Sequence, residues 1–162
     1  MDLNVVFTGN VRQEWIDYNG HMNDACYVSV FSLGIDNFIL QLGMDETYRN
    51  IEKCSIFTLQ SMVHYLQEAS ENDPLIVTAQ LLEHDEKKLR VFFTMRNGTS
   101  GDELAAMETL LMHIDMENHR SAPFRPEIAK AVDKVHSSHA THPVPSLAGR
   151  AIALSRKKTS HQ

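Results

Sequence analysis

Cysteine is nearly missing from this chain of 162 residues: only Cys26 and Cys54 occur, too few to staple a small secreted scaffold. Each lies in an apolar or strand-like stretch, so buried free thiols in a reducing compartment are the expectation. No apolar run reaches the ~18 residues a membrane span needs. Positive charge is short as well: 15 Lys and Arg against 21 Asp and Glu leave a formal charge of −6. That balance argues against nucleic acid or an anionic membrane as partner. The opening stretch, MDLNVVFTGNVRQEW, has no basic segment leading into an apolar one. No signal peptide and a cytoplasmic location are therefore expected.

What is present is the make-up of a folded globular protein, 43% hydrophobic and 22% charged, with enough length for one real core. Residues 4 to 15 read as a short strand broken by Gly9 and Asn10. Residues 25 to 42, ACYVSVFSLGIDNFILQL, are apolar around most of a helical circumference, the mark of a buried helix. Asn23 is its expected N-cap, Asp24 suits the positive end of the dipole and Gly43 is a natural stop. Gly34 in mid-helix predicts a close approach by a neighbour.

Strands follow at 55 to 69, 75 to 83, 89 to 96 and 104 to 115, joined by short turn-rich connections of the kind antiparallel neighbours need. In LRVFFTMR (89 to 96) the apolar and polar residues alternate, with Phe92 the exception. One buried helix and an antiparallel meander predict an α+β fold in which the sheet curls round the helix. The first 125 residues form this domain. Residues 126 to 162 make a C-terminal helix, starting with Pro126, and a Ser/Pro-rich tail that either drapes over a partner subunit or is disordered.

Chemistry concentrates in EWIDYNGHMNDACY, residues 14 to 27. Asp17 lies where a strand gives way to a turn, and Gly20, His21 and Met22 run into a helix N-terminus. Such an end offers free N–H groups and a positive partial charge to an oxyanion. A carboxylate beside those donors is the minimum apparatus for acyl-group hydrolysis. Turn and capping chemistry alone would also explain these residues, and spacing does not decide between the two.

Asp17-Tyr-Asn-Gly20-His21-Met-Asn23-Asp-Ala-Cys-Tyr27 resembles the D-x-x-G-H-x-N-x-x-x-Y signature of hotdog-fold acyl-CoA thioesterases of the 4-hydroxybenzoyl-CoA thioesterase-like group. The resemblance extends over about residues 5 to 125 and includes Tyr65-Leu-Gln-Glu68-Ala69; Asn72 stands where many members have a glycine. It implies a long helix wrapped by a five-stranded antiparallel sheet, an acyl-CoA substrate, no cofactor or metal, and a homodimer or homotetramer. It implies Asp17 as general base or nucleophile, backbone N–H groups near Gly20 and His21 as oxyanion donors, and His21 and Asn23 as orienting or substrate-contacting groups. Glu68 is the alternative carboxylate.

A narrower resemblance, carried by E-W-I-D-Y-N-G-H-M-N with Y-L-x-E-A, is to thioesterases of carnitine degradation that act on betainyl-CoA. A trimethylammonium acyl group wants aromatic faces, and Trp15, Tyr18, Phe57 and Tyr65, with Tyr27, are the substrate-contact expectations. Two other functions stay open: a hotdog enoyl-CoA hydratase, whose typical D-x-x-x-x-H spacing this chain misses by one residue, and a non-catalytic acyl-CoA-binding module. His136, His139 and His142 lack an acidic or cysteine partner at ligand spacing, which argues against a metal site. Arg156, Lys157 and Lys158 read as a solvated terminus.

Overall fold

The computed structural model describes residues 2–154, so Arg156, Lys157 and Lys158 lie outside the described residues. Strand β1 (Asn4–Asn10) leads through a 3-10 turn (Gln13–Trp15) to the long helix α1 (Asp24–Gln41) and a short helix α2 (Glu46–Glu52). Strands β2 (Cys54–Tyr65), β3 (Pro74–His84), β4 (Lys88–Asn97) and β5 (Glu103–Asp115) follow, then the two-residue β6 (Arg120–Ser121) and helix α3 (Pro126–His139). The sheet order is β1-β3-β4-β5-β2, every neighbouring pair is antiparallel, and β6 extends the sheet beside β5. This is the α+β architecture expected, a curled half-barrel holding one helix.

Helix α1 begins as its sequence predicts: the Asn23 Oδ1 accepts the Ala25 N–H at 3.0 Å. It lays Tyr27, Val30, Phe31, Gly34 and Phe38 into the sheet, where the rings of Phe31 and Phe38 pack on Phe93 of β4 at 6.5 and 6.3 Å between centroids. Gly34 is where β1 comes closest, since a Cβ there would stand 3.1 Å from Val6 Cγ2. The helix is not covered all round, however. Val28, Leu33 and Leu40 remain exposed, because the sheet of one chain curls past only one side of it.

Three boundaries differ from the sequence reading, each for a local reason. β1 stops at Asn10, since the Val11 N–H turns to the Asp73 carbonyl at 2.9 Å and the chain coils into the 3-10 turn. β2 stops at Tyr65 instead of 69, because the N–H groups of Leu66 and Gln67 both converge on the Leu104 carbonyl. Helix α2 was not anticipated; Asp45 caps it by accepting the Tyr48 N–H at 2.8 Å, and Lys53, at φ 54°, ends it.

The two edges of the sheet are treated differently. At the β1 edge α1 supplies donors: Asn37 Nδ2 reaches the Val6 carbonyl at the bulge at 2.7 Å, and Gln41 Nε2 reaches that of Val5 at 2.9 Å. Among the described residues the β2 edge has no such cover, and residues 57 to 61 are exposed. A long uncovered edge is a template for pairing.

Helix α3 buries Ile128 and Val132 in the same core as α1. The chain then crosses the outer face of the sheet. Gln80, Phe92 and Glu108 lie opposite one another on β3, β4 and β5 and so share that face. Gln80 Nε2 donates to the Pro143 carbonyl at 3.3 Å, and the Gly149 N–H donates to Glu108 at 2.9 Å. Phe92 borders a hollow with Pro143, Pro145 and Leu147, which explains how a phenylalanine on the outer face comes to be buried.

Two buried histidines are held neutral. His113 Nδ1 donates to the Ala122 carbonyl at 2.8 Å, leaving Nε2 to accept from the Tyr48 hydroxyl at 2.8 Å. His139 Nδ1 accepts the Leu81 N–H and Nε2 donates to Asn4 Oδ1, both at 2.8 Å. Burial lowers both pKa values below the ordinary 6.5. The unfolded chain then takes up protons near that pH while the folded chain does not, so stability is full above it and falls as pH drops through it. Urea midpoints measured between about pH 8 and about pH 5.5 should decline, and His139→Gln should flatten that decline.

Candidate active site

The stretch from Asp17 to Asn23 is a tight loop closed by its own backbone. The Gly20 N–H donates to the Asp17 carbonyl at 3.0 Å, and the Asp17 N–H donates to the His21 carbonyl at 3.1 Å. Gly20 sits at φ 80°, a conformation that favours glycine. The turn aims the Asp17 carboxylate back along the loop. Its Oδ1 accepts the Asn19 N–H at 2.9 Å and its Oδ2 accepts from Asn23 Nδ2 at 3.3 Å. Asn23 therefore does two things with one amide: its oxygen caps α1 and its nitrogen holds the carboxylate.

Facing this loop is the segment after β2. The Met22 N–H donates to the Ala69 carbonyl at 2.8 Å, and Tyr27, buried on α1, straddles the next step. Its hydroxyl donates to the Gln67 carbonyl at 3.2 Å and accepts the Ala69 N–H at 3.1 Å. Burial raises the Tyr27 pKa, which keeps that hydroxyl protonated and able to donate. Between these fixed points stands Glu68, whose Oε2 lies 3.2 Å from His21 Nε2. Tyr65 donates to the Asp24 carbonyl at 3.1 Å and stacks edge-on against Tyr27 with centroids 5.3 Å apart.

These groups enclose a cleft of about 710 Å³ walled by Asp17, His21, Asp24, Tyr65 and Glu68, among others, with no lysine or arginine among the described residues of its lining. Of the expected residues, Asp17, Tyr18, His21, Asn23, Tyr27, Tyr65 and Glu68 meet there. Three do not. Trp15 packs against the core beneath the Arg12 guanidinium, 5.4 Å from its ring centroid. Phe57 is opposite Met112 on the outer face of β2, turned away from the cleft. Gly20 shapes the loop, but its N–H is spent in the turn and is not free for an oxyanion. The His21 N–H makes no hydrogen bond among the described residues. Asp24 was read from sequence only as a helix-dipole residue; its place in the wall follows from the first turn of α1 opening onto the cleft. His136 and His139 are engaged by Leu82, Leu81 and Asn4, and no group of three metal-ligating side chains occurs among the described residues.

A curled antiparallel sheet that cradles one long helix is the hotdog architecture, and its relatives make the chain a thioester hydrolase of that fold. Residues 11–132 match the thioesterase-like superfamily, and the chain belongs to it. The betainyl-CoA thioesterase of Pseudomonas aeruginosa is 38% identical over 144 residues, 89% of this chain and 91% of that protein. The L-carnitine dehydrogenase/betainyl-CoA thioesterase of Rhizobium meliloti is 31% identical over 146 residues, which is 90% of this chain but 29% of that longer protein. Among solved structures, a protein of Staphylococcus aureus in complex with CoA superposes with a TM-score of 0.88 at 28% identity, covering 96% of this chain and 98% of its own. A candidate thioesterase of Pseudomonas putida KT2440 superposes with a TM-score of 0.84 at 30% identity, covering 96% and 99%.

Because Asn23 both caps α1 and holds Asp17, the two roles are separable. Serine caps a helix about as well as asparagine but has no amide nitrogen to offer. Asn23→Ser should therefore cost under ~0.5 kcal/mol in urea unfolding while lowering kcat about tenfold. A stability loss matching the activity loss would show that the cap alone matters.

Proposed function

We propose that this chain hydrolyses betainyl-CoA to betaine and CoA, acting as a homodimer in the cytoplasm. The observation that carries this reading is the charge of the cleft: Asp17, Asp24 and Glu68 line it, tyrosine rings flank it, and no lysine or arginine among the described residues does. Such a wall favours a fixed positive charge on the acyl group and disfavours an anionic or purely aliphatic one. The curated relatives named for betainyl-CoA support the same substrate.

In this reading Asp17, held by Asn19 and Asn23, takes the proton of the attacking water, and the free His21 N–H receives the negative charge that develops on the thioester oxygen. Glu68 and the Tyr65 ring face the quaternary ammonium. The exposed β2 edge supports dimerisation by pairing with its own copy, which would continue the sheet from one protomer into the next.

Charge can be tested apart from shape, because 3,3-dimethylbutyryl-CoA replaces the betainyl nitrogen by carbon and keeps the outline. Thiol release should favour betainyl-CoA by about tenfold or more in kcat/KM. Asp17→Asn should lower turnover by about two orders of magnitude. Equal rates on the two thioesters would overturn the cation reading, and full activity in Asp17→Asn would move the base to Glu68.

A further inference from the structure

The C-terminal segment follows a single row of the sheet. Gln80, Phe92 and Glu108 stand opposite one another on successive strands, and the next residue in the row is Met62 of β2, opposite Glu108. Pro143 is bonded at Gln80, Pro143, Pro145 and Leu147 border the hollow at Phe92, and Gly149 is bonded at Glu108. The chain thus steps outward across β3, β4 and β5 in order, toward β2 and the open edge. Beyond Gly149 the described chain has no regular structure, and it carries two aliphatic side chains into water: Ile152 is 88% exposed and Leu154 95%.

The outer face at that edge is also unfinished. Phe57 is opposite Met112, four residues along β5 from Glu108, so it lies on the same face as the row. It is 46% exposed, and Leu59 beside it 47%.

We propose that Ile152 and Leu154 clasp a second copy of this chain, Ile152 lying on the outer face of the partner's β2 against the partner's Phe57 and Leu154 reaching past it over the partner's β5. The inference rests on the homodimer reading above and adds to it a second contact that the paired strands do not supply. Dimensions allow it. Strands in a sheet are spaced about 4.8 Å apart, and extended chain advances about 3.3 Å per residue. From Gly149 on β5, residue 152 reaches about 10 Å, the position of the partner's β2, and residue 154 reaches about 16 Å, beyond the partner's β5.

Register points to the same spot. The exposed run on β2, residues 57 to 61, is centred on Leu59. Opposite residues share a face, and on either side of the bulge at Leu59 both Phe57 and Met62 face outward, opposite Met112 and Glu108. A two-fold axis between Leu59 and Gln60 therefore sets a segment crossing at Met62 directly against the partner's Phe57. The two segments cross about 16 Å apart along the seam, five residues of strand, and do not collide. Each protomer thereby covers an aromatic ring that its own fold leaves wet.

The test is a cysteine pair. Phe57→Cys with Ile152→Cys in one chain, oxidised mildly, should run as a covalent dimer without reductant, whereas each single variant stays non-covalent because like positions lie too far apart for a disulfide. Ile152→Asp with Leu154→Asp should raise the dimer dissociation constant, measured by sedimentation, about tenfold or more. A dimer in sedimentation that neither cross-links nor weakens in the aspartate variant overturns the clasp and leaves the homodimer reading standing. A wild-type monomer overturns the homodimer reading beneath it.

Discussion

One side chain, Asn23, joins the fold to the chemistry. A helix must begin with its first N–H groups satisfied, and α1 meets that requirement with the Asn23 oxygen, which leaves the amide nitrogen of the same group pointing at Asp17. The carboxylate is thus located by whatever locates the helix, and the helix is located by Phe31, Phe38 and Gly34 packing into the sheet around Phe93 and Val6. A small error in the core would be transmitted to the Asp17 carboxylate through the Asn23 amide. That coupling gives a reason for the long helix to run through the middle of the sheet and not along its margin.

The opposite wall is built on the same plan. Glu68 is among the more exposed residues of the cleft, yet its backbone neighbours are pinned: Gln67 by Tyr27 and the Leu104 carbonyl, Ala69 by Tyr27 and Met22. Tyr27 and Asn23 both belong to the start of α1, so the two walls of the cleft share a single anchor. Their relative spacing, with His21 Nε2 3.2 Å from Glu68, is a property of one turn of helix. It does not depend on two independent loops.

Much of this was legible in the residues. The apolar run of 25 to 42, the Asn23 cap and the alternation in 89 to 96 fixed helix, start and strand face, because those signals depend on local geometry. The loop around Gly20 was legible as a carboxylate meeting a helix end. What was not legible depended on partners distant in sequence. That the Gly20 N–H is consumed by Asp17 follows from the closing of the turn. That Trp15 and Phe57 face away from the cleft follows from the ending of β1 at Asn10 and from the register of β2 on β5, neither of which a count of aromatics contains. Phe92 looked like a break in the pattern because its cover comes from residues more than fifty positions away.

The sheet's two edges are finished unequally. Asn37 and Gln41 spend their amides on the β1 edge, closing it to any newcomer, while the exposed centre of β2 receives no such attention. A run of five exposed residues at that edge, 57 to 61, beside a helix whose Val28, Leu33 and Leu40 stay wet, would be an aggregation hazard in a monomer. In the homodimer proposed above that edge would be paired and the hazard removed. The asymmetry also bears on the site, because Tyr65 ends β2 and lines the cleft. In the proposed homodimer the strand that pairs with its copy is also the one that ends in Tyr65, so pairing and substrate recognition would draw on the same strand.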